Sequence, residues 1–130
     1  MLFGARQGTN ETMLLKVLKS KLHRARVTGT KLHYPGSIEI DESLMQAAGI
    51  LPYESVLIAN LNNGNRFETY VVQGEADSGD VVILGAAAQL ASPGDIVIIM
   101  AFAYCAPDEA AEIAPKVVVL DEKNKVVKQR

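Results

Sequence analysis

Two stretches of the chain repeat one order of residue types, and this repeat limits the fold more than any other feature. Residues 47–58 and 88–99 each begin with small residues typical of a short helix, pass through a proline turn and an acid, and end in an apolar strand. One such unit cannot bury its own apolar face, so two copies related by a pseudo-twofold axis would close a barrel. The pattern alone predicts a mainly β barrel with a few short helices.

The first predicted strand covers residues 16–27. Strict alternation puts Ala25 and Val27 on the face opposite to Leu22. Six basic residues and no acidic residue lie between Met13 and Gly36. This basic pole keeps one alternative function open, a catalytically silent barrel that binds nucleic acid through clustered cations.

The later elements follow from local signals. Residues 37–40 alternate like a short strand, and Asp41 is then a good N-cap for a helix through Ala48 that stops at Gly49. Asn-Gly at 63–64 predicts a hairpin. The remaining predictions are hairpin strands at 55–61 and 66–72, a strand at 81–84, a short helix at 85–91, a central strand at 96–104, a small helix at 108–114, and a last strand at 116–120 before a charged tail.

Composition sets the class of protein. A length of 130 residues suits one domain, and a net charge of −2 demands no polyanionic partner. Cys105 is the only cysteine, which excludes an internal disulfide and fits a reducing cytosol. No apolar run reaches the ~20 residues of a membrane helix. We expect a cytoplasmic protein with no membrane partner, in which residues 1–12 are a disordered extension of a domain at 13–130.

The tripeptide Pro35-Gly36-Ser37 carries the most distinctive chemistry. A serine hydroxyl can attack the carbonyl of the preceding residue and turn the amide into an ester. β-Elimination of that ester cuts the chain and leaves dehydroalanine, which hydrolyses to a pyruvoyl group. Glycine suits the carbonyl side because, without a Cβ, it reaches dihedrals closed to other residues, and proline stiffens the approach. By itself the same tripeptide is typical of an ordinary turn.

The segments around this tripeptide resemble one known family, in order and with its spacing, over about residues 13 to 125. The blocks that carry the resemblance are KLHRARVT at 21–28, LHYPGSI at 32–38, NGNRFETY at 63–70, GAAA at 85–88 and PGD at 93–95. The family is that of aspartate 1-decarboxylase, a pyruvoyl-dependent enzyme. Met13 stands where its members usually begin.

The resemblance implies a double-psi β-barrel that is made as a zymogen and cleaves itself between Gly36 and Ser37, into residues 1–36 and 37–130. It implies a lyase that removes the α-carboxylate of L-aspartate to give β-alanine and CO₂ for pantothenate and coenzyme A biosynthesis. The implied assembly is a homotetramer with pockets at subunit boundaries, and a helper protein for maturation is compatible with it. The implied cofactor is a pyruvoyl group generated from Ser37, with no metal and no nucleic acid.

The resemblance also implies roles for individual residues. Ser37 becomes the pyruvoyl group, which forms a Schiff base with the substrate amine. Tyr70 gives a proton to the substrate carbon after CO₂ leaves, and a phenol with a pKa near ~10 is a suitable acid. Alternation nevertheless puts Thr69 on the strand face opposite to Tyr70. The expected substrate-binding residues are Thr69, Gly85, Ala86, Ala87, Arg66 and Lys21, of which Arg66 can grip a carboxylate through two parallel hydrogen bonds.

Two positions depart from the family's pattern. Leu84 stands where asparagine usually precedes Gly-Ala-Ala, and Pro35 stands where glutamate is common. Because leucine cannot donate a hydrogen bond, the rate of cleavage or a contact with the substrate is in question. This keeps open a relative that acts on another small acidic amino acid, since one methylene is typically worth only ~1–3 kcal/mol in a pocket.

Metal chemistry is not expected. The chain has two histidines, His23 and His33, and one distant cysteine, which is a poor ligand set for zinc. His23 lies two residues after Lys21, so a strand would place both side chains on one face.

Overall fold

The computed structural model of the protein describes residues 13–130, so the disordered extension expected at residues 1–12 lies outside the described residues. The described part is mainly β, as predicted. Its elements are β1 (Leu15–Arg26), β2 (Gly29–Lys31), β3 (Ser37–Asp41), α1 (Glu42–Ala48), β4 (Ser55–Asn60), β5 (Arg66–Gly74), β6 (Val81–Leu84), a 3₁₀ helix (Gly85–Gln89), β7 (Ile96–Cys105), α2 (Pro107–Ala110), β8 (Lys116–Leu120) and β9 (Val126–Gln129).

The strands form one sheet in the order β2-β6-β3-β5-β4-β7-β1-β8-β9. The pairs β2–β6, β3–β5 and β1–β8 are parallel. One face of the sheet encloses an aliphatic core in which Ile38, Ile58, Val71, Ile83 and Ile99 are fully buried. This arrangement is consistent with the predicted β-barrel, although the hydrogen-bonded ladder of residues 13–130 ends at β2 and β9 and does not close.

The internal repeat is visible in the pairing of β4 with β7. The repeat relates Ile58 to Ile99, and these two residues face each other in the antiparallel ladder. Their neighbours obey the same relation, because Val56 pairs with Ala101 while Asn60 pairs with Val97. A local twofold axis therefore passes between the two strands, as the repeat predicts.

The turn before each of these strands is also built twice in the same way. Glu54 accepts a hydrogen bond from the backbone N–H of Leu51 at 3.0 Å. Asp95, its counterpart in the repeat, accepts one from the N–H of Ser92 at 2.9 Å. The repeated acid thus satisfies a backbone donor that the proline turn leaves free.

The predicted hairpin and the caps of α1 are confirmed. Strands β4 and β5 pair antiparallel through the Asn-rich turn. Asp41 accepts from the N–H of Ser43 at 2.8 Å, and Gly49 ends the helix in the left-handed conformation at φ 70°. Asp41 is also the last residue of β3, and Ser37 is the first. The cap therefore fixes the C-terminal end of the strand that contains Ser37.

The predicted faces of β1 were wrong after Leu22. Arg24 has a φ of 65°, and the register of β1 against β7 shifts between Leu22 and Ala25. This bulge inserts one residue, so Ala25 and Val27 are buried on the same side as Leu22 and not opposite to it. Alternation predicts faces only in an uninterrupted ladder.

The C-terminal part also differs from the prediction. β8 (Lys116–Leu120) is not the last strand, because β9 pairs antiparallel with it, and α2 already ends at Ala110. The turn between β8 and β9 is anchored by buried Asn124. Its side chain donates to Arg26 O at 2.9 Å and to Gly79 O at 2.8 Å, and accepts from Arg26 N at 2.8 Å.

Candidate active site

Ser37 lies at the boundary between an exposed loop and a buried strand. It is the first residue of β3 and is 3% exposed, whereas Gly36 before it is exposed. Its hydroxyl donates to Pro35 O at 3.5 Å, which is long for an O–H donor, whose usual distance is ~2.7–2.8 Å. Burial at the start of β3 therefore fixes the position of Ser37, but its hydroxyl makes no strong hydrogen bond.

Steric constraints require glycine at residue 85 but not at residue 36. A Cβ added at Gly36 would meet Leu84 O at 4.0 Å, and its φ is outside the left-handed region. Gly85 has a φ of 82°, and a Cβ there would lie 2.5 Å from Gly36 Cα and 2.9 Å from Tyr34 O. The backbone before Ser37 thus rests directly on the start of the 3₁₀ helix.

The Gly85-Ala86-Ala87 segment accordingly lies beside the Gly36–Ser37 bond. Gly85 is buried and Ala86 is exposed, while Ala87 is half-buried against the core. The 3₁₀ helix that they open has no side-chain cap at its first residues. Backbone N–H groups in such a position are free to face a carboxylate.

Leu84 is the direct cross-strand partner of Ser37 in the antiparallel pair of β3 and β6. Cross-strand partners project their side chains on the same face of a sheet. Leu84 is 8% exposed, so an apolar and largely buried residue lies directly beside Ser37. The departure noted in the sequence therefore falls on the neighbour of the candidate serine.

Tyr70 is the neighbour of Ser37 on the other side of β3. In the parallel pair of β3 and β5, Ile38 is level with Val71, so Ser37 and Tyr70 precede them in step. Ile38 and Val71 point into the core and are fully buried, whereas Tyr70 is 39% exposed. Ser37 and Tyr70 therefore lie on the outer face of the sheet, next to each other.

The other two candidates on β5 lie on different faces. Arg66 and Tyr70 are both exposed and share the outer face, about 13 Å apart along the strand at ~3.3 Å per residue. Thr69 pairs with the buried Val56 and is half-buried on the core side. This agrees with the expected alternation of Thr69 and Tyr70.

Lys21 is not a neighbour of Ser37 within one chain. It lies on β1, separated from β5 by β7 and β4, and three strand spacings of ~4.8 Å amount to about 14 Å. Lys21 pairs with Met100, Met100 with Leu57, and Leu57 with Glu68. The residue of β5 level with Lys21 is therefore Glu68, two residues before Tyr70. Lys21 thus faces outward at a different part of the sheet.

His23 sits two residues beyond Lys21 with an unusual environment. Its Nδ1 is buried and has no hydrogen-bond partner in the described part of the chain. Burial, together with the positive charges of Lys21, Arg24 and Arg130, lowers the pKa of His23 below its ordinary 6.5. The imidazole is therefore neutral at neutral pH.

A network around Asp41 holds the end of β3. Asp41 is 1% exposed. Its Oδ1 accepts from Ser43 N, Ser43 Oγ and Asp77 N, at 2.7 to 2.9 Å, and its Oδ2 accepts from Gly79 N at 2.8 Å. Burial acts to raise the pKa of this carboxyl, but the hydrogen bonds from Ser43, Gly79 and Asp77 together hold it below 3.8.

Most cations of the basic pole are held by contacts within the chain. These contacts are Lys19 Nζ to Glu54 Oε2 at 2.6 Å, Arg26 Nη1 to Gly94 O at 3.0 Å, Lys16 Nζ 4.9 Å from the centroid of the Phe102 ring, and Lys31 Nζ 5.1 Å from that of Tyr34. They contribute to packing on the sheet, and nothing in their arrangement favours a nucleic-acid surface.

Two further properties concern only residues 13–130. No helix in this part is long and apolar enough to cross a membrane. No group of three or more His, Cys, Asp or Glu side chains in it is arranged to hold a metal ion.

Tyr53 is a neighbour of the site that the sequence analysis missed. Its ring centroid lies 6.4 Å from that of Tyr70, with the rings tilted by 42°. Its backbone has a φ of 69°. The repeat aligns Tyr53 with Gly94 and could have indicated a left-handed turn at residue 53, but no sequence signal predicts the aromatic contact.

Comparison with known proteins gives one consistent family. A family model described as aspartate decarboxylase matches residues 13–127. The aspartate 1-decarboxylase of Caldicellulosiruptor saccharolyticus is 55% identical over 116 residues, which cover 89% of this chain and 91% of that protein. The protein of the same name from Salinibacter ruber is 54% identical, with coverages of 91% and 81%. That from Lactiplantibacillus plantarum is 54% identical, with 90% of each chain covered.

Proposed function

The chain belongs to the aspartate decarboxylase family, and from this premise we propose that it removes the α-carboxylate of L-aspartate to give β-alanine and CO₂. This makes it a carboxy-lyase whose product is a precursor of pantothenate. The observation that carries the proposal in the structure is the position of Ser37 between Tyr70 and the Gly85 segment. The readings as a silent nucleic-acid-binding barrel or as a lyase for another acidic amino acid have no comparable support.

We further propose that the cofactor is a pyruvoyl group made from Ser37. The surroundings of this serine fit the group, because its oxygen is weakly bonded and the preceding carbonyl belongs to an exposed glycine. When formed, the group supplies a carbonyl that takes up the substrate amine and withdraws electrons as CO₂ leaves. The apolar side chain of Leu84, the cross-strand partner of residue 37, would help to exclude water from one side of the group.

The remaining residues bind the substrate and move a proton. Tyr70, beside residue 37, holds the proton that the substrate carbon receives. Arg66 is the bidentate clamp for a substrate carboxylate. It shares the outer face with Tyr70 but lies about 13 Å away along β5, so, like Lys21 below, it would reach the substrate across a boundary between subunits. Free backbone N–H groups of Gly85, Ala86 and Ala87 face the other carboxylate. Thr69 acts from the core side of β5, through its backbone or in the cleavage reaction.

Lys21 enters this site only if two copies of the chain share it. Within one chain it lies three strands from Tyr70 and faces outward. We therefore propose that the pocket forms at a subunit boundary, where Lys21 of one copy approaches Ser37 of another, in a homotetramer. The protein would act in the cytoplasm, as the single, buried Cys105 suits a reducing compartment.

The direct test is the intact mass of the purified protein together with its β-alanine production. We expect two fragments, residues 1–36 and a pyruvoyl-started 37–130, and turnover of L-aspartate. Ser37→Ala should stay one chain and make no β-alanine, while Ser92→Ala, which changes an exposed serine, should behave as the wild type. Full activity in the uncut Ser37→Ala protein, or cleavage at another bond, contradicts the proposal.

A further inference from the structure

Tyr53 has a left-handed backbone conformation, and the residue at the equivalent position of the repeat is a glycine, Gly94. Tyr53 has a φ of 69° and Gly94 a φ of 93°. Both turns make the same bond, from Tyr53 N to Val71 O at 2.7 Å and from Gly94 N to Val27 O at 2.8 Å. The fold therefore requires a left-handed residue at both places, which glycine provides without the steric cost that a side chain brings.

The strain at Tyr53 is not explained by core packing. Its side chain is 76% exposed, so it contributes little buried apolar surface. Its ring centroid lies 6.4 Å from that of Tyr70, within the ~4.5–7 Å range of interacting aromatic pairs, with the rings tilted by 42°. Strained residues that persist without a packing role are typically found where a functional group must be placed.

The backbone connects Tyr53 rigidly to the strand that carries Tyr70. Val71, the residue after Tyr70, accepts from Tyr53 N at 2.7 Å and donates from its own N–H to Glu54 O at 3.0 Å. These two hydrogen bonds attach the turn at residues 53–54 to β5 at Val71. The left-handed turn thus sets the direction of the Tyr53 ring relative to the Tyr70 ring.

We propose that Tyr53 is a positioning residue for Tyr70, holding its ring so that fewer rotamers are open to the phenol. This inference rests on the proposed role of Tyr70 as the proton donor. Tyr53 acts through the face of its ring, so its hydroxyl is not needed. The strain of the turn is retained because a glycine there would leave one side of Tyr70 free.

The first test compares Tyr53→Gly with Tyr53→Phe in the cleaved enzyme. Tyr53→Gly should keep or raise Tm, because it relieves strain, and should lower kcat about tenfold with little change in KM, because a displaced group slows the chemical step. Tyr53→Phe should keep kcat. The matched control is Asp77→Gly, which relieves a φ of 63° in an exposed turn away from Tyr70 and should leave kcat unchanged.

A double-mutant cycle shows whether Tyr53 acts through Tyr70. In a Tyr70→Phe background, Tyr53→Gly should cause no further loss of kcat, because the group it positions is already absent. An equal loss in both backgrounds, or wild-type kcat in Tyr53→Gly, overturns the inference.

A readout that needs no turnover separates this inference from the proposed function. In the uncut Ser37→Ala chain, Tyr53→Gly should average the Hα–Hβ NMR couplings of Tyr70, which report its χ1 rotamer, whereas Tyr53→Phe should leave them unchanged. Unchanged Tyr70 couplings in Tyr53→Gly overturn the positioning role even if the enzyme is active. Averaged couplings support it even if the chain makes no β-alanine.

Discussion

At the scale of single residues, the absence of a Cβ at Gly85 lets the loop before Ser37 lie directly against the Gly85-Ala86-Ala87 segment. Gly85→Ala would place its Cβ 2.5 Å from Gly36 Cα, so the segment before Ser37 must move. We expect cleavage to slow strongly, as followed by intact mass over time. The matched control is Gly64→Ala, which has a similar φ of 79° but nothing within 4 Å of the new Cβ. Equal cleavage rates in the two variants would show that the contact is irrelevant to maturation.

Tyr70→Phe separates maturation from turnover. The ring keeps its place and loses only the hydroxyl, so the chain should still be cut between Gly36 and Ser37. β-Alanine production should fall by ~10²–10⁴-fold, the usual contribution of a positioned general acid. Turnover at the wild-type rate by fully cleaved Tyr70→Phe would remove Tyr70 from the mechanism and leave the proton to water or to His23.

Leu84→Asn tests the departure from the family at the cross-strand partner of Ser37. Asparagine brings a hydrogen-bond donor to a position that is now apolar and 8% exposed. We expect a measurable change in the rate of cleavage or in the ratio of aspartate to glutamate turnover. If the cleavage time course and this ratio both stay the same, the departure is neutral.

At the scale of elements, the stability of β3 and α1 depends on the charge of Asp41. Its carboxylate accepts four hydrogen bonds with both oxygens, and an asparagine would turn one acceptor into a donor facing a backbone N–H. Asp41→Asn should therefore lower the free energy of unfolding by about 1–3 kcal/mol at neutral pH. Asp108→Asn, at an exposed position, is the control.

The effect of Asp41 should depend on pH in a defined direction. Its pKa is lowered in the folded protein, so its stabilising contribution is present above 3.8 and is lost as the pH falls through the lower folded value. The difference in Tm between wild type and Asp41→Asn should be largest at neutral pH and shrink in acid. A constant difference across that range would show that the carboxylate charge is not the cause.

At the scale of the whole molecule, the separation of Lys21 from Ser37 predicts complementation between copies. Lys21→Ala should mature but turn over slowly, and Ser37→Ala should not mature. In co-expressed hybrids, the intact Lys21 of one subunit and the intact Ser37 of the other would meet in the same pocket. We expect hybrids to be clearly more active than either variant alone. If the hybrids are no more active than the two variants added together, Lys21 and Ser37 of different subunits do not share a pocket, and the prediction is wrong.

The sequence predicted what depends on neighbouring residues or on the repeat. Asp41 and Gly49 set the ends of α1, the Asn-Gly turn set the hairpin, and the repeat predicted the symmetric pairing of Ile58 with Ile99. These features rest on turn chemistry and on the need of each unit to bury its apolar face. The serine chemistry that we propose at Gly36 and Ser37 involves adjacent residues, so it could also be predicted from the sequence, and it stays a prediction.

Only the tertiary structure decided which distant residues meet. The bulge at Arg24 reversed the predicted faces of β1, and the strand order placed Lys21 three strands away from Tyr70. The contacts of Tyr53 with Tyr70 and of Gly85 with Gly36 join segments far apart in the chain. Register, bulges and strand order are set by packing of the whole aliphatic core, and no local pattern encodes them.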